Sequence, residues 1–394
     1  MARTVYRSAD LSIILAAALL IRLALAPWTV HPGDVPELSA WADALAAHGW
    51  VDLYAASSAN YPPLGTLLVG LSAALFRLAA PGAPFDPGDP RRARWLGIAA
   101  ALHPALLLMS AAWGQLESVY AALALGALIC ALEGKALPAG ALIAAGALVK
   151  PQGAALAPLI ALAALSGPHT EAPRRLLYVI MGAVLLSAPL LLPFALTGRL
   201  PLLAARLGAL RAAPGWWTVN APNLWYLLSA GRANWAFNAP LIAPDTAPLV
   251  TGLSARTLGM LLLGLWSVIT LAGAWRARGN PHAWLLAGSL LFLGLFLWPT
   301  QAHERYLFGA LVLAPGVPAL AGNPASLRRG SLWALALGLG GALTLLWAAP
   351  ALIGLPGPGG WLPGGLALAV LLLISGAAGM AWLWISGQQR RTAG

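Results

Sequence analysis

Residues 366–373 read Leu366-Ala-Leu-Ala-Val-Leu-Leu-Leu373, and no charged residue interrupts the surrounding stretch 363–386. A hydrocarbon layer about 30 Å thick takes roughly 20 apolar residues of helix to cross, and this window is long enough. The opposite end of the chain repeats the pattern in Leu11-Ser-Ile-Ile-Leu-Ala-Ala-Ala-Leu-Leu20. Backbone amides and carbonyls in lipid must pair within their own segment, and the even alternation of a porin strand is absent, so these windows are helices. Hydrophobic residues make up 60% of the 394 and charged residues only 9%, against a usual quarter in soluble domains. The mean hydropathy is +0.77. The chain is therefore expected to be all-α, a single polytopic integral-membrane domain over 1–394.

Working outward, apolar windows fall near 9–27, 61–80, 95–112, 119–133, 136–150, 151–165, 177–196, 248–275, 281–300, 305–321, 331–350 and 363–386. That gives about twelve transmembrane helices, with a range of roughly ten to thirteen. With a cytoplasmic N-terminus, fifteen of the 23 basic residues fall on the inner side, among them Arg174, Arg175, Arg328 and Arg329. An even number of spans also returns Arg390 and Arg391 inside, so basic-residue bias and parity agree. Pro151 withholds an amide donor and disfavours helical geometry at Lys150, so two half-length helices are expected to meet at Lys150-Pro151-Gln152. The two long outer segments are 28–60 and 197–247. The first holds Trp41 to His48, patterned as an amphipathic helix lying at the interface. In the second, Trp216, Trp217, Trp225 and Trp235 suit an aromatic belt at headgroup depth.

Composition also excludes several classes. Cys130 is the one cysteine, so neither a disulfide nor a thiolate metal site can be built from cysteine. The histidines are far apart in sequence and no zinc spacing occurs, so no metal or other cofactor is called for. The net charge of +11 comes from scattered arginines beside apolar windows; without a basic stripe interleaved with stacking aromatics, it marks topology and gives no sign of nucleic-acid binding. Met1 to Ala26 imitates a signal peptide, but Arg22 interrupts its apolar core and Pro27 follows the would-be cut, so it is read as an uncleaved span.

Against this background the polar islands stand out. Asp34, Glu37, Asp43 and Asp52 precede Tyr61-Pro62-Pro63-Leu64, and Trp113-Gly114-Gln115-Leu116-Glu117 opens a later span. Lys150-Pro151-Gln152, Asn220-Ala-Pro-Asn223-Leu-Trp225 and His303-Glu304-Arg305-Tyr306 complete the set. In the assumed topology all of them fall on the outer side, and ionisable residues at membrane depth usually mark function.

This ordered set, spread over about residues 22–306, resembles the GT-C superfamily of glycosyltransferases, in particular bacterial polyprenyl-phosphate hexose transferases of mannose or glucose type. One departure is Glu117, where many relatives carry Asp. The resemblance implies an inverting hexosyltransferase of glycan biosynthesis, with mannosyl transfer among the activities it covers, in a bacterial inner or plasma membrane with its site on the extracytoplasmic face. Its partners are then a polyprenyl-phosphate sugar donor, a glycan, lipid or other hydroxyl acceptor, and membrane lipids. Some superfamily members bind divalent ions, although no such ligand set is indicated here.

Within that reading Asp34 is the general base that takes the acceptor proton. Its other readings are a helix cap or a solvated loop carboxylate, and any of Glu37, Asp43 and Asp52 could serve in its place. Arg305 and Lys150, with His303 beside them, would offset charge growing on the departing phosphate; salt bridging or snorkelling to headgroups are the plainer uses. Glu37, Tyr61, Gln115, Glu117, Gln152, Asn220 and Glu304 are candidate sugar or acceptor contacts, with helix-end solvation as the alternative for Gln115 and Glu117. The competing class is a transporter or flippase of lipid-linked sugars, which needs the cations but no base. Paired interrupted helices in matching halves would mark it; one interruption is visible.

Overall fold

The structure, a computed structural model, describes residues 34–68, 116–167, 170–209, 215–219, 221–230, 244–250, 252–314, 316–319, 324–352 and 362–388. The expected spans 9–27 and 95–112, and most of 61–80, lie outside those residues. The rest is predominantly helical, with one short two-stranded hairpin among the described residues.

Helix α1, Asp34–Ala56, bends at Gly49, whose φ of 79° is left-handed. Leu38, Trp41, Ala42 and Leu45 share one face at helical spacing, while Asp43 and His48 are exposed. The expected amphipathic helix is present, but its apolar face is covered by protein. Trp41, Leu53 and Tyr54 form one buried cluster with Phe194 and Leu203. An ion pair from Arg199 to Asp52 (2.6 Å) and a bond from Arg206 Nε to the Tyr54 carbonyl (2.9 Å) fasten it. Helix α2 begins at Pro63 and is described through 68; proline is tolerated there because a first-turn amide needs no partner.

Helices α3 (Glu117–Leu132) and α4 (Ala136–Val149) pack side by side. The chain then breaks as Pro151 requires: Lys150 is extended (φ −156°, ψ 139°), a 3-10 helix runs Pro151–Leu156, and α5 follows at Ala157–Leu165. After α6 (Ala172–Leu196) come the short helices α7 (Leu200–Ala209) and α8 (Leu224–Leu228). The window 248–275 is not helical throughout. Its first residues form the antiparallel hairpin of β1 (Pro248–Val250) and β2 (Leu253–Ser254). Helix α9 (Ala255–Arg276) starts only at Ala255, where Ser254 caps it by accepting from the Thr257 amide at 3.1 Å.

Helix α10 (Pro281–Leu297) is buried on almost every face and forms the centre of the bundle, as a helix that is apolar all round must be. Helix α9, the 3-10 helix Pro151–Leu156, α5 and the later helices surround it. The window 305–321 is a correction of a different kind: a 3-10 helix (Glu304–Leu307), α11 (Phe308–Leu313) and α12 (Gly316–Ala319) replace a continuous span. Ala314, the C-cap of α11, keeps helical dihedrals (φ −55°, ψ −44°); the proline that follows it in sequence has no amide to donate to a continuing helix. Helices α13 (Pro324–Leu352) and α14 (Leu362–Gln388) close the chain. Among the described residues, three helices are long and apolar enough to cross a membrane: α6, α9 and residues 364–386 of α14. On α6 the exposed side chains Leu177, Ile180, Val184 and Leu185 are apolar, the surface that a helix shows to lipid. Helix α9 keeps small residues, Gly259, Gly273 and Ala274, on its buried face.

Candidate functional site

Four of the polar islands meet. Glu117 is the first residue of α3, and Lys150 is the C-cap of α4. A carboxylate at a helix N-terminus and an ammonium at a C-terminus both complement the helix dipole. Lys150 Nζ donates to Glu117 Oε1 across 33 residues of sequence. Arg305, in the 3-10 turn after α10, brings its Nε to 3.4 Å from the same oxygen, and its Nη1 lies 3.8 Å from Glu304 Oε1. Side-chain exposures are 6% for Lys150, 4% for Glu117 and 1% for Glu304. Arg305, at 16%, is the member solvent reaches most. Two carboxylates thus balance two cations, and Glu117 stands between the cations.

Taking one such ion out of water costs several kcal/mol, about 3–5 of which reappear when a partner is removed. The group is tolerable only as a set. Aromatic side chains line it: the partly buried Tyr61 ring lies under Lys150 Nζ, 5.0 Å from the centroid, and Tyr120 is one helical turn along α3 from Glu117 and fully buried. Among the described residues, Glu117 Oε2, Tyr120 Oη and Gln152 Oε1 are buried polar atoms with no hydrogen-bond partner.

Tyr61 joins this group to α1. Trp41 meets its ring edge-on at 5.1 Å, and Tyr54 Oη donates to its carbonyl at 2.7 Å. The approach of α2 depends on Gly65, where a Cβ would run into the carbonyl oxygen of Val149, next to Lys150. Asp34 begins α1, two turns before Trp41, roughly 10 Å along the axis; its side chain lies outside the described residues, as do Gln115 and Asn220. Glu37 is exposed and accepts from Ser58 at 3.4 Å. The His303 ring rests on Tyr306 at 5.4 Å.

Two contributors, Tyr120 and Asp245, escaped the sequence reading, and a third, Asn223, was marked only as part of the Asn220–Trp225 element. Tyr120 carries no motif, although its spacing from Glu117 on a helix signals a shared face. Asn223 caps α8, accepting from the Trp225 and Tyr226 amides, and donates to the carbonyls of Phe296 (3.1 Å) and Pro299 (3.4 Å). Asp245, with 0% exposure, is a hub beside the turn that leads to Arg305. Two of the expected belt tryptophans are internal: Trp225 is fully buried, donates to the Trp298 carbonyl at 2.6 Å and packs edge-on against buried Trp217.

Comparison of the chain with protein-family models gives no match. Comparison with curated proteins gives none either.

Proposed function

We propose that this helical membrane protein is an inverting glycosyltransferase with a GT-C-like bundle of about twelve spans. It would move a hexose from a polyprenyl-phosphate donor to an acceptor hydroxyl on the extracytoplasmic side. The observation that carries this reading is the buried set Glu117, Lys150, Glu304 and Arg305, assembled from separate segments beside Tyr61. Charges this costly to bury, in a chain so poor in charge, mark a site.

In the proposed reaction the acceptor oxygen attacks the anomeric carbon from the face opposite the phosphate. The carbon–oxygen bond to phosphate breaks and its electron pair stays on the phosphate oxygen. Asp34 takes the acceptor proton. Arg305 and Lys150, held side by side by Glu117, offset the charge gained by the phosphate. An arginine suits two-point contact with phosphate oxygens, and a lysine acts as a point charge. His303 stands beside them. Glu37, Tyr61, Gln115, Gln152, Asn220 and Glu304 supply sugar or acceptor contacts.

The test is transfer of labelled mannose or glucose from its polyprenyl phosphate to glycan or lipid acceptors by the reconstituted full-length protein. Asp34→Asn is expected to lower turnover by about 10²–10⁴-fold, the range of general base catalysis, with donor binding retained. Undiminished turnover in Asp34→Asn rejects the base. Movement of intact donor across sealed vesicles without transfer rejects the enzyme in favour of a transporter.

A further inference from the structure

Arg305 follows a turn with no regular structure of its own, and three sets of contacts pin that turn. Asn223 and Trp225 hold the carbonyls of Phe296, Trp298 and Pro299. Residues 217–219 run beside 301–303, with Gln301 N donating to the Trp217 carbonyl (3.2 Å) and Val219 N to the Ala302 carbonyl (2.9 Å). Between them sits Asp245. Its Oδ2 accepts from Arg256 Nε (3.0 Å), Thr300 Oγ1 (2.6 Å) and Gln301 Nε2 (3.1 Å), and its Oδ1 accepts from Arg256 Nη2 (2.8 Å).

The backbone of Asp245 is fixed as well. Its amide donates to the Gly215 carbonyl at 2.7 Å, and its carbonyl accepts from the Arg256 amide at 2.9 Å. A Cβ on Gly215 would strike the Asp245 carboxylate, so glycine is what lets the two segments close. Gln301 has φ 58°, a left-handed conformation in a residue with a Cβ. Such strain persists only where the surroundings over-determine it, and here the Gln301 side chain and backbone are both held.

We infer that Asp245 is a positioning residue: through Thr300 and Gln301 it sets where Arg305 stands against Glu117. The carboxylate does this from outside the ionic group, with Arg256 neutralising it. Glycosyl transfer, the reading proposed above, is needed only for the kinetic arm of the test.

The test uses the full-length reconstituted protein and reads the reaction of individual arginines with phenylglyoxal by peptide mass spectrometry. Asp245→Asn is expected to raise the rate at Arg305 at least about tenfold, the scale of losing a buried charge-assisted hydrogen bond, with Arg175 on α6 as an unchanged reference. Should Asp245→Asn not give monodisperse protein, Thr300→Val reads the same turn with one donor to the same carboxylate removed and is expected to raise the Arg305 rate about tenfold, the lower end for a hydrogen bond to a charged group. An unchanged Arg305 rate in whichever variant folds overturns the inference. Among variants that transfer hexose, kcat should fall with the donor KM nearly unchanged, and Arg256→Lys should retain more kcat than Arg256→Met. If the wild type transfers no hexose, the glycosyltransferase reading fails while the arginine rates still decide the role of Asp245.

Discussion

Glu117 holds two cations with one carboxylate oxygen. Glu117→Gln leaves Lys150 and Arg305 facing each other with one carboxylate fewer, and a loss of roughly 3–5 kcal/mol is expected from removing one member of a buried pair. Thermal unfolding in detergent measures it. Lys150→Met in the same background should cost less than in the wild type, because it removes the charge that Glu117→Gln strands; a double-mutant cycle reads that coupling. At this scale the sequence marked Tyr61, Glu117, Lys150 and Arg305 but not how they pair. Scarcity makes a charge legible in an apolar chain, whereas the contacts between islands depend on how helices cross. Asp245 was illegible for the same reason: nothing in Asp245-Thr-Ala-Pro248 says that Arg256 and Thr300 will fold onto it. Trp225 looked like an interfacial anchor because apolar bulk with one N–H fits headgroups and a packed interior equally well.

The break at Lys150-Pro151 was readable from proline alone, since a missing amide acts locally. The hairpin at 248–254 was not, because Pro248-Leu-Val-Thr-Gly252-Leu253 is as apolar as the helix it precedes, and only the Ser254 cap separates the two. Helix α2 lies against α4 through Gly65, so Gly65→Ala must lift it from Val149 and with it the Tyr61 ring from Lys150. Reduced thermal stability together with faster amide hydrogen exchange at the end of α4 is the expected result; unchanged exchange would show that α2 does not brace Lys150. Burial pushes the Tyr54 phenol up from 10.0 to about 12, slightly opposed by its contact with Thr66. A phenol raised in the folded state contributes stability in full below pH 10 and loses it as pH climbs toward 12. Burial pushes the Tyr226 phenol up to about 12 as well, so absorbance titration of tyrosinate should show a late component that loses one phenol's amplitude in Tyr54→Phe. The alkaline loss of stability between those pH values should shrink in the same variant.

For the whole molecule, composition sufficed to give a mostly helical chain, and among the described residues α6, α9 and α14 are long and apolar enough to cross a membrane. The window 305–321 begins in the 3-10 turn Glu304–Leu307 and not in an α-helix, a distinction that hydropathy, which counts apolar atoms, does not register. Val184 on α6 points away from the bundle, 56% exposed. Val184→Arg should reduce insertion by about 2.5–3.5 kcal/mol if it lies at the centre of a spanning helix, read as the membrane-inserted fraction during synthesis. Val184→Leu should leave insertion unchanged. The pairing of Lys150 with Glu117 has a further consequence for how the polypeptide is made. Both belong to the first half of the chain, on neighbouring helices joined by a short turn, so their charges can neutralise each other as soon as that helical pair leaves the ribosome. Arg305 is translated much later and docks onto an arrangement already balanced; the early helices thus have a self-contained way to settle while the rest of the protein is still being synthesised.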